Sequence, residues 1–137
     1  MCKLLMIDDN PLEHLIVKTM LANYKVFPDN SHSLEGKNII EYIENNSADI
    51  EKLPDVIFLD LNMPEFSGWD FMNTFAKLYP FLSKRIDIYI ASSSINEEDK
   101  QRSRAYPFVK DYFCKPLLKE TLVNLYSFYH SATGMAS

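Results

Sequence analysis

Glycine is scarce in this chain, with three in 137 residues: Gly36, Gly68 and Gly134. A glycine-rich loop that closes backbone amides around a phosphate cannot be assembled from them, which excludes the usual nucleotide-binding motifs. Cysteine is scarcer still. Cys2 and Cys114 have no metal-like spacing and form no disulfide framework, which points to a reducing compartment, the cytoplasm. No apolar run approaches the roughly 20 residues of a membrane span, and no signal-peptide pattern opens the chain, so no membrane role is expected. Positive charge is also in deficit, 14 basic residues against 19 acidic ones and a net charge of −5. Such a balance argues against the chain gripping nucleic acid by itself.

What is present belongs to one folded domain. The apolar fraction is 47%, with 13% aromatics, enough for a proper core at this length. One domain over 1–137 is expected, with its core at about 3–130 and a frayed tail over 131–137.

The centre of the pattern is Asp55 to Pro64. Val56, Ile57, Phe58 and Leu59 run straight into Asp60, as in a parallel strand buried on both faces. Lys3 to Asp9 repeats the pattern and ends in two adjacent acids, Asp8 and Asp9. Asn10 and Pro11 then form an N-cap and first helical residue. The helix they open runs to about Asn23, with Leu12, Leu15, Ile16, Thr19 and Met20 as its expected inner face. Tyr24 to Phe27 reads as a second, weaker strand, and Ser33 to Asn45 as a helix opened near Gly36, with Ile39, Ile40 and Ile43 inward. Ser67 to Asp70 is a capping box leading a helix that holds Phe71, Met72, Phe75 and Leu78, and Pro80 closes it. Ile86 to Ala91 is a fourth strand followed by Ser92, Ser93 and Ser94. Asn96 caps a fourth helix whose first turn carries Glu97, Glu98 and Asp99, and Tyr106-Pro107 ends it. Phe108 to Cys114 is a fifth strand, and after Lys115-Pro116 the last helix runs to about His130. On that helix Leu118, Leu122, Leu125 and Tyr129 form the expected inward stripe, with Val123 and Phe128 off it. Alternating strands and helices predict a doubly wound five-stranded parallel sheet with five helices, a three-layer α/β sandwich.

In such a sheet the carboxyl ends of the strands share one rim, where ligands bind. Asp8, Asp9, Asp60, Ser92 and Lys115 all fall there. Three crowded carboxylates repel one another, and a hard divalent cation such as Mg²⁺ relieves this through oxygen ligands. Lys115 and Ser92 suit the oxygens of an incoming phosphoryl group, and a carboxylate can form an acyl phosphate, which makes Asp60 the natural nucleophile.

From about Lys3 to His130 the chain resembles a response-regulator receiver domain of two-component signalling, of the single-domain type similar to the chemotaxis response regulator. The flavodoxin-like fold of that family is then expected. The resemblance implies that Asp60 is the phosphoacceptor and that Asp8, Asp9, Asp60 and the backbone carbonyl of Asn62 hold Mg²⁺. It makes Ser92 and Tyr112 the switch pair, Lys115 the phosphoryl-contacting lysine and Pro116 a candidate for a cis peptide bond. The donor it implies is a sensor histidine kinase or a phosphotransfer protein. The output is a changed face of helix four, strand five and helix five, which controls a partner protein or forms a homodimer. Two positions depart from the family pattern: Ser67 stands where Asp is frequent before the glycine, and Ile39 where a small residue is common. With no output domain after the last helix, the expected output is contact with another protein or relay of the phosphoryl group.

Read singly, several of these residues have plainer roles. Tyr112 alone is a core aromatic, Cys114 a buried inert cysteine, and His14 and His32 are solvated surface residues. Leu118, Leu122, Leu125, Tyr126, Phe128 and Tyr129, grouped with Tyr106 and Tyr112, make an apolar surplus on the output face. Two other functions compete with a signalling receiver. One is a phosphate-independent pseudo-receiver scaffold, which the intact acids, Ser92 and Lys115 disfavour. The other is an enzyme, an aspartyl-phosphate phosphohydrolase, which wants an acid two residues after the nucleophile, where this chain has Asn62.

Overall fold

The computed structural model describes residues 2–93 and 96–136, the side chains of 132–136 excepted. Within them the chain alternates β1 (Leu4–Ile7), α1 (Pro11–Tyr24), β2 (Asn30–Ser33), α2 (Lys37–Asn45), β3 (Val56–Leu59), α3 (Gly68–Leu78), β4 (Asp87–Ser92), α4 (Glu97–Ser103), β5 (Val109–Cys114) and α5 (Lys119–Ala136). The five strands form one parallel sheet in the order β2-β1-β3-β4-β5. The order reverses at β1, so the carboxyl ends of β1 and β3 open a crevice between them.

Both faces of the sheet are covered, and the period of two along each strand sorts its residues between them. Leu5, Ile7, Ile57, Leu59, Ile88 and Ile90 face α2 and α3, where Ile40, Ile43, Phe71, Met72 and Phe75 pack. Leu4, Met6, Val56, Phe58, Tyr89 and Ala91 face the opposite way, onto Val17, Leu21 and Leu122 of α1 and α5. Burial on both faces explains why β1, β3 and β4 read as unbroken apolar runs. Each large side chain so buried contributes about 1.5–3 kcal/mol.

Several expected elements fall elsewhere. The second strand is Asn30–Ser33, not Tyr24–Phe27. α1 runs on through Tyr24, Lys25 takes the left-handed cap (φ 55°), and Val26 and Phe27 bury as a plug under the sheet. The strand itself, Asn-Ser-His-Ser, has little intrinsic strand preference; the open edge of β1 recruits it. The inner face of α1 is also different. His14, Val17 and Leu21 are buried, while Leu12, Leu15, Ile16 and Thr19 are exposed and Met20 half-buried. α2 starts at Lys37, since Ser33 belongs to β2. Pro80 lies inside a short 3-10 turn, Tyr79–Phe81, that follows α3, and α4 ends at Ser103, ahead of Tyr106. α5 continues to Ala136, so residues 131–136 are helical where a tail was expected. Ser94 and Ser137 lie outside the described residues. Leu117, just before α5, is buried where Leu118 was expected, and Leu118 is exposed.

Candidate functional site

Asp8 follows β1 directly. Its N–H donates to the carbonyl of Ser33 at 3.1 Å, and its carboxylate accepts from the N–H of Asn10 at 2.9 Å. Asp60 follows β3 in the same register, its N–H donating to the carbonyl of Ile7 at 3.0 Å. Both carboxylates are buried, and Asp9 is exposed beside them. An oxygen from each of Asp8, Asp9 and Asp60 lies within 4.8 Å of the other two. Among the described residues this is the one group of three or more acids, histidines or cysteines placed to share a cation.

Lys115 enters from the end of β5. Its N–H donates to the carbonyl of Ser92 at 2.7 Å, which ties it to β4, and the Lys115–Pro116 bond is cis. Its Nζ meets Asp8 Oδ2 at 2.5 Å and stands 3.6 Å from Asp60 Oδ1. The lysine is thus committed to Asp8 and only near Asp60. Asp60 otherwise accepts from the N–H of Asn62 at 3.2 Å. Burial pushes the Asp60 pKa up, and the neighbouring Asp8 and Asp9 push the same way; Lys115 and the Asn62 amide oppose them without cancelling the rise. Burial alone would lower the Lys115 pKa, but the bond to Asp8 and the charges of Asp60 and Asp8 outweigh it, and it is raised.

Ser92 closes β4 and is almost wholly buried at the same rim. Tyr112 lies on β5 opposite Ile90, half-buried against the α3 side of the core. Gly68 sets how closely α3 approaches. A Cβ there would meet the carbonyl oxygen of Asp60 at 2.5 Å and the Cα of Leu61 at 2.7 Å, both backbone atoms that cannot swing aside. Its N–H donates to the Leu61 carbonyl, and the expected capping box of Ser67 and Asp70 holds the helix start. Beside it the Arg102 guanidinium lies over the Trp69 ring at 4.0 Å, and Tyr106 donates to Asn73 Oδ1 at 2.5 Å, joining α4 and the loop after it to α3.

Three further residues lie where sequence reasoning did not put them. Cys114 is exposed, at the end of β5, an edge strand none of whose residues is fully buried. His14 is buried and His32 half-buried, their Nδ1 atoms 2.8 Å apart, with His14 Nε2 2.7 Å from the carbonyl oxygen of Asp8. The signal for His14 was its spacing of three and seven residues from Val17 and Leu21, outweighed by the more apolar arc of α1.

Three hard oxygen donors, one of them an under-neutralised, buried carboxylate, fit a divalent cation of the Mg²⁺ type. Among the described residues no helix is long and apolar enough to cross a membrane. Similar folds are known. The chain is similar to a two-component response regulator from Cytophaga hutchinsonii (24% identity, covering 92% of this chain and 94% of that one, TM-score 0.81). A response regulator receiver protein from Dyadobacter fermentans is comparable (22%, 95% and 98%, TM-score 0.79), as is the chemotaxis protein CheY4 from Vibrio cholerae (23%, 93% and 98%, TM-score 0.70). At such identities the likeness establishes the flavodoxin-like fold. No curated protein matches the chain in sequence. The family model described as the response regulator receiver domain matches residues 4–127, nearly the whole chain, and the protein therefore belongs to the receiver-domain family of two-component response regulators.

Proposed function

We propose that the protein is a phosphorylation-controlled signalling module in which Asp60 accepts a phosphoryl group from a histidine kinase or phosphotransfer protein. The observation that carries this reading is the Asp60 carboxylate itself, buried among two other acids with its nearest cation 3.6 Å away. In the transfer an Asp60 oxygen attacks phosphorus, and the O–P bond forms as the donor's P–N bond breaks. The departing imidazole keeps the electron pair and takes up a proton. Asp8, Asp9, Asp60 and the Asn62 carbonyl would hold Mg²⁺, which supplies positive charge for the carboxylates and the phosphoryl oxygens. Lys115, anchored by Asp8, offers its ammonium to the same oxygens.

The output follows from Ser92 and Tyr112. Ser92 moves to donate to a phosphoryl oxygen and vacates space beside β5, into which the Tyr112 ring turns. The face of α4, β5 and α5 is then reshaped for a partner protein or a second copy. Moving a 1:99 population to 99:1 takes about 5.5 kcal/mol. One hydrogen bond to a charged group contributes about 1.5–3 kcal/mol, so Lys115 and repacking must add the rest.

The test is phosphate uptake from acetyl phosphate with and without Mg²⁺. Uptake that requires Mg²⁺ is the expected result. No uptake would make the chain a phosphate-independent scaffold, and turnover of p-nitrophenyl phosphate would make it a phosphohydrolase.

A further inference from the structure

We infer that His14 is a positioning residue for the acidic site, setting through its Nε2–H the peptide that joins Asp8 to Asp9. The inference rests on the reading of that site as a Mg²⁺ site. His14 occupies the buried register of α1, where the fold offers an apolar slot. A buried imidazole N–H costs desolvation unless it finds an acceptor, and here it does. Nε2 lies 2.7 Å from the carbonyl oxygen of Asp8, an atom that can only accept, so His14 is the donor there. Nδ1 lies 2.8 Å from His32 Nδ1.

The far side of the His32 ring is equally determined. The side-chain amide of Asn30 donates from Nδ2 to the carbonyl oxygen of Phe27 at 2.8 Å, another pure acceptor. That choice turns Asn30 Oδ1 toward His32 Nε2 at 2.9 Å, so this nitrogen donates. Asn30, itself tied to the Phe27 carbonyl, thus fixes the orientation of the His32 ring, whose Nδ1 faces that of His14; Phe27 has φ 43° and no exposed surface.

The carbonyl of Asp8 and the N–H of Asp9 share one peptide plane. Fixing that carbonyl fixes the plane, and with it the angle at which the two acids leave the backbone. Asp8 is then held at every polar group: its N–H by Ser33, its carbonyl by His14, and its carboxylate by Asn10 and Lys115. Asp9, exposed, has no such anchor of its own among its described side-chain hydrogen bonds, so the shared plane is what orients it. Outer hydrogen-bond partners of this kind decide how well metal ligands converge.

Mg²⁺ titration by calorimetry on the intact protein, with urea unfolding in parallel, tests this. His14→Phe keeps a ring of similar volume and removes the donor; His14→Gln keeps an N–H. His14→Phe is expected to raise the Mg²⁺ Kd at least about tenfold, and His14→Gln to return it to within about threefold of wild type. A purely structural role would lower the urea midpoint and leave Kd unchanged, and that result overturns the inference. Equal losses in the Phe and Gln variants overturn it too. Should His14→Phe not fold, His14→Met, unbranched and without a donor, takes its place; weakened Mg²⁺ binding supports the inference and wild-type affinity overturns it. Failure of the wild type to bind Mg²⁺ would instead sink the reading of the site.

Discussion

Asp60, just past the carboxyl end of β3, and Asp87, at the amino end of the neighbouring β4, are both buried aspartates, and their surroundings differ in one respect. At the amino end of β4, Asp87 Oδ1 accepts from Arg85 Nε at 2.9 Å and Oδ2 from the Tyr129 hydroxyl at 2.6 Å. Tyr129 in turn meets the Tyr89 hydroxyl at 2.7 Å, and burial together with these bonds pushes its pKa up, so it stays a donor. At the carboxyl end, Asp60 has one amide and a lysine already engaged by Asp8, with two more acids alongside. Burial therefore does not by itself make a site. A satisfied carboxylate is structural, whereas one left short of positive charge is ready to bind a cation or attack an electrophile.

Removing the satisfied acid should cost the most stability. Asp87→Ala leaves the Tyr129 hydroxyl without its acceptor, at a cost of about 2 kcal/mol, read from the urea midpoint. Arg85 is largely exposed and rehydrates, so little is added from its side. Phosphate uptake should survive; its loss would break the contrast between the two ends.

Ser92→Ala separates uptake from response. Asp60 should still be phosphorylated, while the gain in partner affinity falls roughly tenfold, the equivalent of about 1.5 kcal/mol from one charged hydrogen bond. NMR shifts at Tyr112 provide the same reading, and a full response to beryllofluoride would remove Ser92 from the coupling.

Asp60→Asn sharpens the comparison through the sign of its effect. The folded-state pKa of Asp60 is raised, so the folded protein binds its proton more tightly than the unfolded chain does. That contribution is complete below the unfolded value and is lost as pH rises through the folded one. Without metal at pH 7, Asp60→Asn should therefore melt higher than wild type, and the gap should close as pH falls below the ordinary aspartate range. A lower Tm for the variant at pH 7 would contradict the under-neutralised site.

The smallest effect concerns the cysteines. Burial pushes the Cys2 thiol up to about 12, while Cys114 is exposed next to Lys115. Iodoacetamide at pH 8 should modify Cys114 in the native protein and Cys2 only after unfolding, as peptide mapping would show.

The site was legible because its parts sit where apolar runs stop. Asp8, Asp9 and Asp60 each follow a run buried on both faces, and Lys115 is marked by Pro116. The β2 strand was not, since Asn30 to Ser33 carry no apolar alternation and owe their conformation to the edge of β1. The face of α1 misled for a related reason. Leu12, Leu15 and Ile16 are the most apolar arc, yet the sheet is met by Val17, Leu21 and a histidine whose polarity is satisfied by the backbone of Asp8. Local pattern reveals what each segment prefers; the partner strand or carbonyl that overrides it lies far away in sequence.

The central claim is that Asp60, and not the equally buried Asp87, is the acid that takes up phosphate. Intact-protein mass spectrometry after incubation with acetyl phosphate, with Mg²⁺ or with a chelator, tests it on three proteins together. Wild type and Asp87→Ala should gain one phosphoryl group only with Mg²⁺, and Asp60→Asn should gain none. Labelling of Asp60→Asn at the wild-type rate, or none in the wild type, would contradict the account.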